Sequence, residues 1–126
     1  MFDAGLIYNH MVARAGLTDA ELDRLFRALA DATRRDIVAR VLAGEPPSIS
    51  GLAARYDMSF AAVQKHVAVL QTAGLVRKER RGRECLVQGN PGRLEQAREL
   101  LARLEDLWRA RFSRIDALFT DSFPQE

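Results

Sequence analysis

The sequence predicts a mainly α-helical domain with one small β-hairpin, and three observations point there. Apolar residues recur at helical spacing in several separate stretches. Ser, Thr and Asp stand where helices need N-caps, and Gly or Pro stands where they must stop. Around "RRGR", residues 80–83, the pattern switches to two short extended segments. At 126 residues the chain supports a single core but not comfortably two.

The elements follow in order. Residues 1–17 form an N-terminal arm with weak helical signals that ends at Gly16, and we expect it to be loosely held. Its start lacks the basic region and apolar stretch of a signal peptide. "TDAE" at 18–21 reads as a capping box, in which Thr18 accepts from a first-turn amide and Glu21 reaches back. Leu22, Leu25, Phe26 and Leu29 then make one apolar stripe. Asp31 begins a second helix, with Ile37, Val38, Val41 and Leu42 inward and Gly44 closing it. Pro46 and Pro47 enforce a break. Ser50 is the expected N-cap of a short helix through Leu52, Ala53 and Tyr56. "YDMS" makes a tight turn, and Ser59 caps a helix reaching about Ala73, before Gly74.

A short helix, a three-residue turn and a longer helix have the spacing of a helix-turn-helix. Leu75–Glu79 and Glu84–Val87 follow as a hairpin, with Gly82 at its turn. Together they predict a winged helix-turn-helix. Asn90 caps, and Pro91 opens, a long last helix. The expected organisation is an arm (1–17), a winged helix-turn-helix (18–90) and a C-terminal dimerisation helix with its tail (91–126), integrated in one domain.

Charge distribution carries more than the total. The net charge is only +2, yet residues 60–83 amount to +5 and the rest of the chain to −3. Such a patch on a near-neutral body attracts phosphates without general stickiness. At about 100° per residue, Val63, Val67 and Leu70 fall on one core-facing line. Ala61, Lys65, Ala68 and Thr72 point the opposite way, with Gln64 at the border. A narrow face of small residues with a polar fork suits entry into a DNA major groove. Gln64 is placed to read adenine, and Lys65 to meet a guanine edge or a phosphate. Arg80, Arg81 and Arg83 at the hairpin tip would reach the minor groove or the backbone. The candidate DNA-binding set is Ser59, Ala61, Gln64, Lys65, Ala68, Arg77, Arg80, Arg81 and Arg83. Phe60 lies nearer the core line, and partial packing is expected of it. A basic hairpin alone is usually a solvated loop; the turn, the small face and the hairpin in this order favour double-stranded DNA.

"FRALADATRRDIVARVL", "YDMSFAAVQKHVAVLQTAGLV" and "RRGRECLV" resemble the ArsR family of bacterial winged-helix transcriptional regulators, over about residues 20–120. The resemblance implies a homodimer that binds operator DNA and usually represses, until an effector, unknown here, weakens its grip. Gln64 stands where the family often has serine, so no operator sequence carries over. Many relatives sense metals through a Cys-x-Cys pair, at positions that look like Ser48 and Ser50 here. Serine is a poor ligand for soft metals. Other relatives bind zinc on the last helix, where Glu105, Asp106 and Asp116 lack any histidine beside them. No metal and no cofactor are expected. Arg34 and Arg35 of "ALADATRR" are read as structural, pairing with Asp31 or Asp36, with the DNA backbone as the other option. His66 is read as a partly buried structural histidine; His10, in the arm, is uninformative. Cys85, the lone cysteine, excludes an internal disulfide, and its arginine neighbours make thiol-redox sensing an alternative.

The last helix repeats Ala97, Leu101, Leu104, Trp108, Ile115 and Leu118, widened by Leu100, Leu107, Phe112 and Phe119. That is too much apolar surface for one small core. A dimer through the first and last helices is expected, with Leu22, Leu25, Phe26, Leu101, Leu104, Trp108, Phe112 and Ile115 at the interface. "LEDLWRARFSRIDALF" further resembles a branch of the family without metal ligands. The chain has no Gly-rich phosphate loop and no nucleophile arrangement, so no enzyme is expected. No apolar run reaches membrane-spanning length, and a cytoplasmic protein is expected. The alternative in another class is a winged-helix module that docks an acidic protein.

Overall fold

Each helix starts where a side chain takes up its first free amides, and these caps set the architecture. The computed structural model describes residues 4–122, with α1 (Ala4–Ala15), α2 (Asp19–Leu29), α3 (Ala32–Ala43), α4 (Ile49–Tyr56), α5 (Phe60–Thr72), β1 (Val76–Arg81), β2 (Glu84–Gly89) and α6 (Pro91–Ser122). At α2 the capping box is complete: Glu21 N donates to Thr18 Oγ1 at 3.1 Å and Thr18 N to Glu21 Oε1 at 3.0 Å. Asp31 caps α3 and Ser59 caps α5, accepting from Arg34 N and Ala62 N. The cap of α4 is Ser48, not the expected Ser50: Gly51 N donates to Ser48 Oγ at 2.9 Å. The hairpin decides this. Ser48 bridges to Leu86, and Val87 N donates to Pro47 O at 2.8 Å, so the chain is pinned as an extended strand until Ser48. The helix starts one residue later.

The core gathers one line of residues from each element: Leu22, Leu25 and Ala28 of α2, Ile37 and Val41 of α3, Leu52 of α4, Val63, Val67 and Leu70 of α5, and Val76 and Val87 of the hairpin. This corrects two expectations. Leu22 and Leu25, expected at a dimer interface, are 2% and 0% exposed within the single chain, because α3 and α5 already cover them. Of that α2 stripe, Phe26 remains outside at 39% exposure. Leu42, expected inward, is exposed, its methyl lying over the backbone of Gly89.

The arm also differs from expectation. It forms α1, and Met11, Val12 and Ala15 are buried with α6 packed against them. Among the described residues its buried seam is narrow, Met11, Val12 and Ala15 with Ile7 beside them, too slight to announce itself; Ala97 and Leu100, buried on α6, lie more than eighty residues away in the sequence.

Two corners carry the remaining geometry. Where α2 meets α3, Arg34 Nε donates to Ala28 O at 2.7 Å and Nη2 to Arg27 O at 3.0 Å, while Arg35 Nη1 donates to Leu29 O at 2.8 Å. The two arginines are structural, but their partners are the carbonyls that end α2 rather than carboxylates. Where α5 meets β1, Gly74 has φ +77°, Gly74 N donates to Gln71 O and Leu75 N to Leu70 O. That is a Schellman end, which needs a residue tolerant of the left-handed region. Arg93 of α6 lies beneath Gly74 and pairs with Glu21 of α2 at 3.1 Å. Asn90 spends its side-chain amide on Gly74 O at 2.9 Å.

Beyond Leu100, α6 leaves the body. Residues 101–122 continue for about 33 Å at helical rise. Leu104, Trp108, Phe112 and Ile115 stand 44, 56, 46 and 38% exposed, and Trp108 and Phe112 meet edge to face at 4.6 Å. No helix of the described residues is long and apolar enough to cross a membrane.

Candidate nucleic-acid interface

The helix-turn-helix is locked before its outer surface is considered. Asp57, one of three residues between α4 and α5, takes φ 52° and ends α4 with its amide on Ala53 O. Aspartate tolerates this left-handed turn better than most side chains. Tyr56 donates its hydroxyl to Asp36 of α3, and Arg40 Nε donates to the same carboxylate at 2.7 Å and lies over the Tyr56 ring. The Tyr56 hydroxyl, then Arg40, hold the Asp36 carboxyl below the usual carboxylate range, and burial raises the Tyr56 phenol. This side-chain knot fixes α4 on α3.

α5 is then displayed by its own periodicity. Val63, Val67 and Leu70 are fully buried, so Ala61, Gln64, Lys65, Ala68 and Thr72 are left exposed. His66 is half-buried on the flank, with Nδ1 4.0 Å from Asp31 Oδ2. Ser59 spends its hydroxyl oxygen on the Ala62 amide, which makes its first role a cap.

The hairpin pairs Val76 with Gly89 through Arg81 with Glu84. β1 therefore starts one residue later and ends two residues later than expected, because the turn takes only Gly82 and Arg83, and β2 runs two residues further, to Gly89 opposite Val76. Gly82 has φ +61° and Arg83 stays out of the left-handed region, the signature of a tight turn with glycine first. Strand alternation then divides the basic residues between two faces. Lys78 and Arg80 share the face of Val76 and Val87 and line a cleft with Phe60 and Gln64 of α5, Ser50 of α4, Arg83 and Cys85. Arg77 and Arg81 lie on the other face. There Arg77 donates to Gln88 Oε1 at 2.9 and 2.6 Å, Gln88 donates to Glu79, and Arg81 Nε lies 3.6 Å from Glu79 Oε1.

The structure thus brings Gln64, Arg80 and Arg83 together, sets Lys65, Ala61 and Ala68 on the adjoining open face, and puts Arg77 and Arg81 on the wing's far side. Lys78 joins the first group. It was legible, since a buried Val76 puts residues 78 and 80 on one side by alternation. Phe60, 47% exposed, floors the same cleft. Cys85 lines it opposite Arg80. Ser48 and Ser50 are a helix cap and a cleft residue, and among the described residues no group of three or more His, Cys, Asp or Glu stands ready to hold a metal ion.

A three-residue turn between α4 and α5, an open face on α5 and a paired basic hairpin beside it define a winged helix-turn-helix DNA-binding protein. Comparison with known proteins agrees. A helix-turn-helix domain family matches residues 29–79. The HTH-type transcriptional regulator Rv2034 of Mycobacterium tuberculosis is 41% identical over 81 residues, covering 64% of this chain and 75% of that protein. An ArsR-like transcriptional regulator from Rhodococcus sp. RHA1 is 33% identical, with a TM-score of 0.68 over 79% of this chain and 92% of its own. The crystal structure of the ArsR family transcriptional regulator RHA00566 superposes with a TM-score of 0.67 at 30% identity, over 73% of this chain and 94% of its own. The chain belongs to the ArsR family of transcriptional regulators, and it is a DNA-binding member of that class.

Proposed function

We propose that the protein binds a pseudo-palindromic operator as a homodimer and represses transcription from it. The observation that carries the reading is the pairing of two unsatisfied surfaces: the open face of α5 beside its basic cleft, and the apolar face of α6 beyond Leu100. Leu101, Leu104, Trp108, Phe112 and Ile115, with Phe26 of α2, make the dimer contact. Burying a large side chain stabilises by roughly 1.5–3 kcal/mol, so a second copy removes a cost that one protomer cannot. Dimerisation sets two α5 helices about 34 Å apart, matching successive major-groove faces on one side of the duplex. Within each half-site, Gln64 and Lys65 face the base edges, Arg80 and Arg83 the nearer backbone, and Arg77 and Arg81 the flanking phosphates. A dimer on a promoter shuts out polymerase, the simplest route from binding to repression.

Binding to duplex DNA upstream of the protein's own gene, followed across salt, tests this. If each protomer neutralises about four phosphates, log K falls against log salt with a slope of roughly −7. A slope near −2 removes the basic cleft as the main contact. No retardation of duplex at low salt, with capture of an acidic protein instead, replaces the reading with a protein-docking one.

A further inference from the structure

The open face of α5 has two walls, and the wing is only one of them. Going round the helix from the core line, Phe60 and Gln64 form the shoulder that meets the wing cleft. Val69 forms the other shoulder, next to Ala68 and Thr72 of the open face, and there α2 stands beside α5. Arg24 and Arg27 of α2 close a shallow, mainly apolar groove with Ala68, Val69 and Thr72. The two arginines lie three residues apart on one side of α2, while Leu22 and Leu25 point into the core. Both side chains are exposed, and neither guanidinium has a hydrogen bond or ion pair with the described residues. This differs from Arg93, Arg98, Arg103 and Arg109 of α6, each paired with a glutamate.

A major groove is about 12 Å wide and a helix with its side chains about 10–12 Å across. A helix lying in that groove therefore has one sugar-phosphate backbone on each side. Lys78, Arg80 and Arg83 meet one. We infer that Arg24 and Arg27 are a second phosphate clamp, gripping the strand across the groove from the one the wing meets. The inference rests on α5 entering the major groove as proposed above. The groove between α2 and α5 supplies the fit: Ala68 and Thr72 are small enough to let a backbone approach, and the guanidinium forks lie at its rim. Phe26 projects from a different side of α2, so a dimer contact there leaves the clamp open.

The test compares the full-length R24Q/R27Q and R80Q/R83Q variants with the wild type on the duplex that the wild type retards. Ethylation interference on the wild type should mark phosphates on both strands bordering each major groove. R24Q/R27Q should erase the marks on one strand and R80Q/R83Q those on the other. A dimer losing four phosphate contacts should show a slope shallower by about 3.6, and all duplexes should bind about tenfold or more weakly. R24K/R27K, which keeps the charge, should hold the slope near the wild-type value and separates lost contact from lost folding. Unchanged slope and marks in R24Q/R27Q overturn the clamp while leaving operator binding intact. Weakening confined to one base position also overturns it, since a phosphate contact is blind to sequence. A wild type that retards no duplex removes the parent proposal and the clamp with it.

Discussion

Arg34, read from the sequence as structural with the DNA backbone as the other option, is consumed by the fold. Its guanidinium donates to two carbonyls at the end of α2, Ala28 O and Arg27 O, the second of which also accepts from Ala30 N. Replacing it by alanine should cost about 2 kcal/mol, read as a lower urea midpoint at unchanged slope. Lysine should restore only part, because a single ammonium does not reproduce the fork. Gln64 is the opposite case, an exposed amide with no hydrogen-bond partner among the described residues. Gln64→Ala should leave stability within about 0.5 kcal/mol and relax operator preference at one position. Competition between single-base variants of the site measures this. The two cases explain what could be read from the chain at this scale. An outward direction follows from periodicity, so Gln64, Lys65 and the alanines were legible. A guanidinium's partner depends on where another helix ends, so the carbonyls of residues 27–29 were not.

The elements are joined by carboxylates whose charged forms the fold favours. The Thr18 backbone amide, ahead of its hydroxyl and Arg93, lowers Glu21; the Arg34 backbone amide lowers Asp31; Tyr56, then Arg40, lowers Asp36. A depressed folded value means stability that is present above the unfolded pKa, here near the ordinary 4.5 and 3.8, and lost as pH falls through the folded values. The thermal midpoint should therefore fall as pH drops from about 6 to about 3. Asp36→Asn should be less stable at neutral pH and lose less on acidification. Calorimetry on both proteins checks the sign. At this scale the caps, the helix-turn-helix turn and the hairpin were legible, because each rests on local chemistry within four residues. Ser48 in place of Ser50 was not, since a strand forty residues further on fixes where α4 begins. Nor was α1, whose buried seam packs against α6, far along the chain.

At the scale of the whole molecule the exposed apolar face of α6 beyond Leu100 dominates. Trp108→Glu with Phe112→Glu should leave the protomer folded, because both rings stand outside its core. It should weaken self-association by about 100-fold or more, seen as a shift from two copies to one in sedimentation. Operator affinity should fall in parallel, since each half-site is then held alone. The excess of apolar residues in α6 was plain in the sequence. Which α2 residues were left over for the proposed interface was not: Leu22 and Leu25 go to the chain's own centre because α5 lies against them, and Phe26 stays outside.

The bareness of the outward side of α5 has a consequence for how such a protein changes over generations. Ala61 and Ala68 support nothing beneath them, while Val63, Val67 and Leu70 on the reverse side carry the packing. On the proposed binding mode, mutations that alter target preference and mutations that threaten folding fall on separate sets of codons. In that mode a duplicated copy would be free to drift toward a new DNA sequence through substitutions at the bare positions while its framework stays intact.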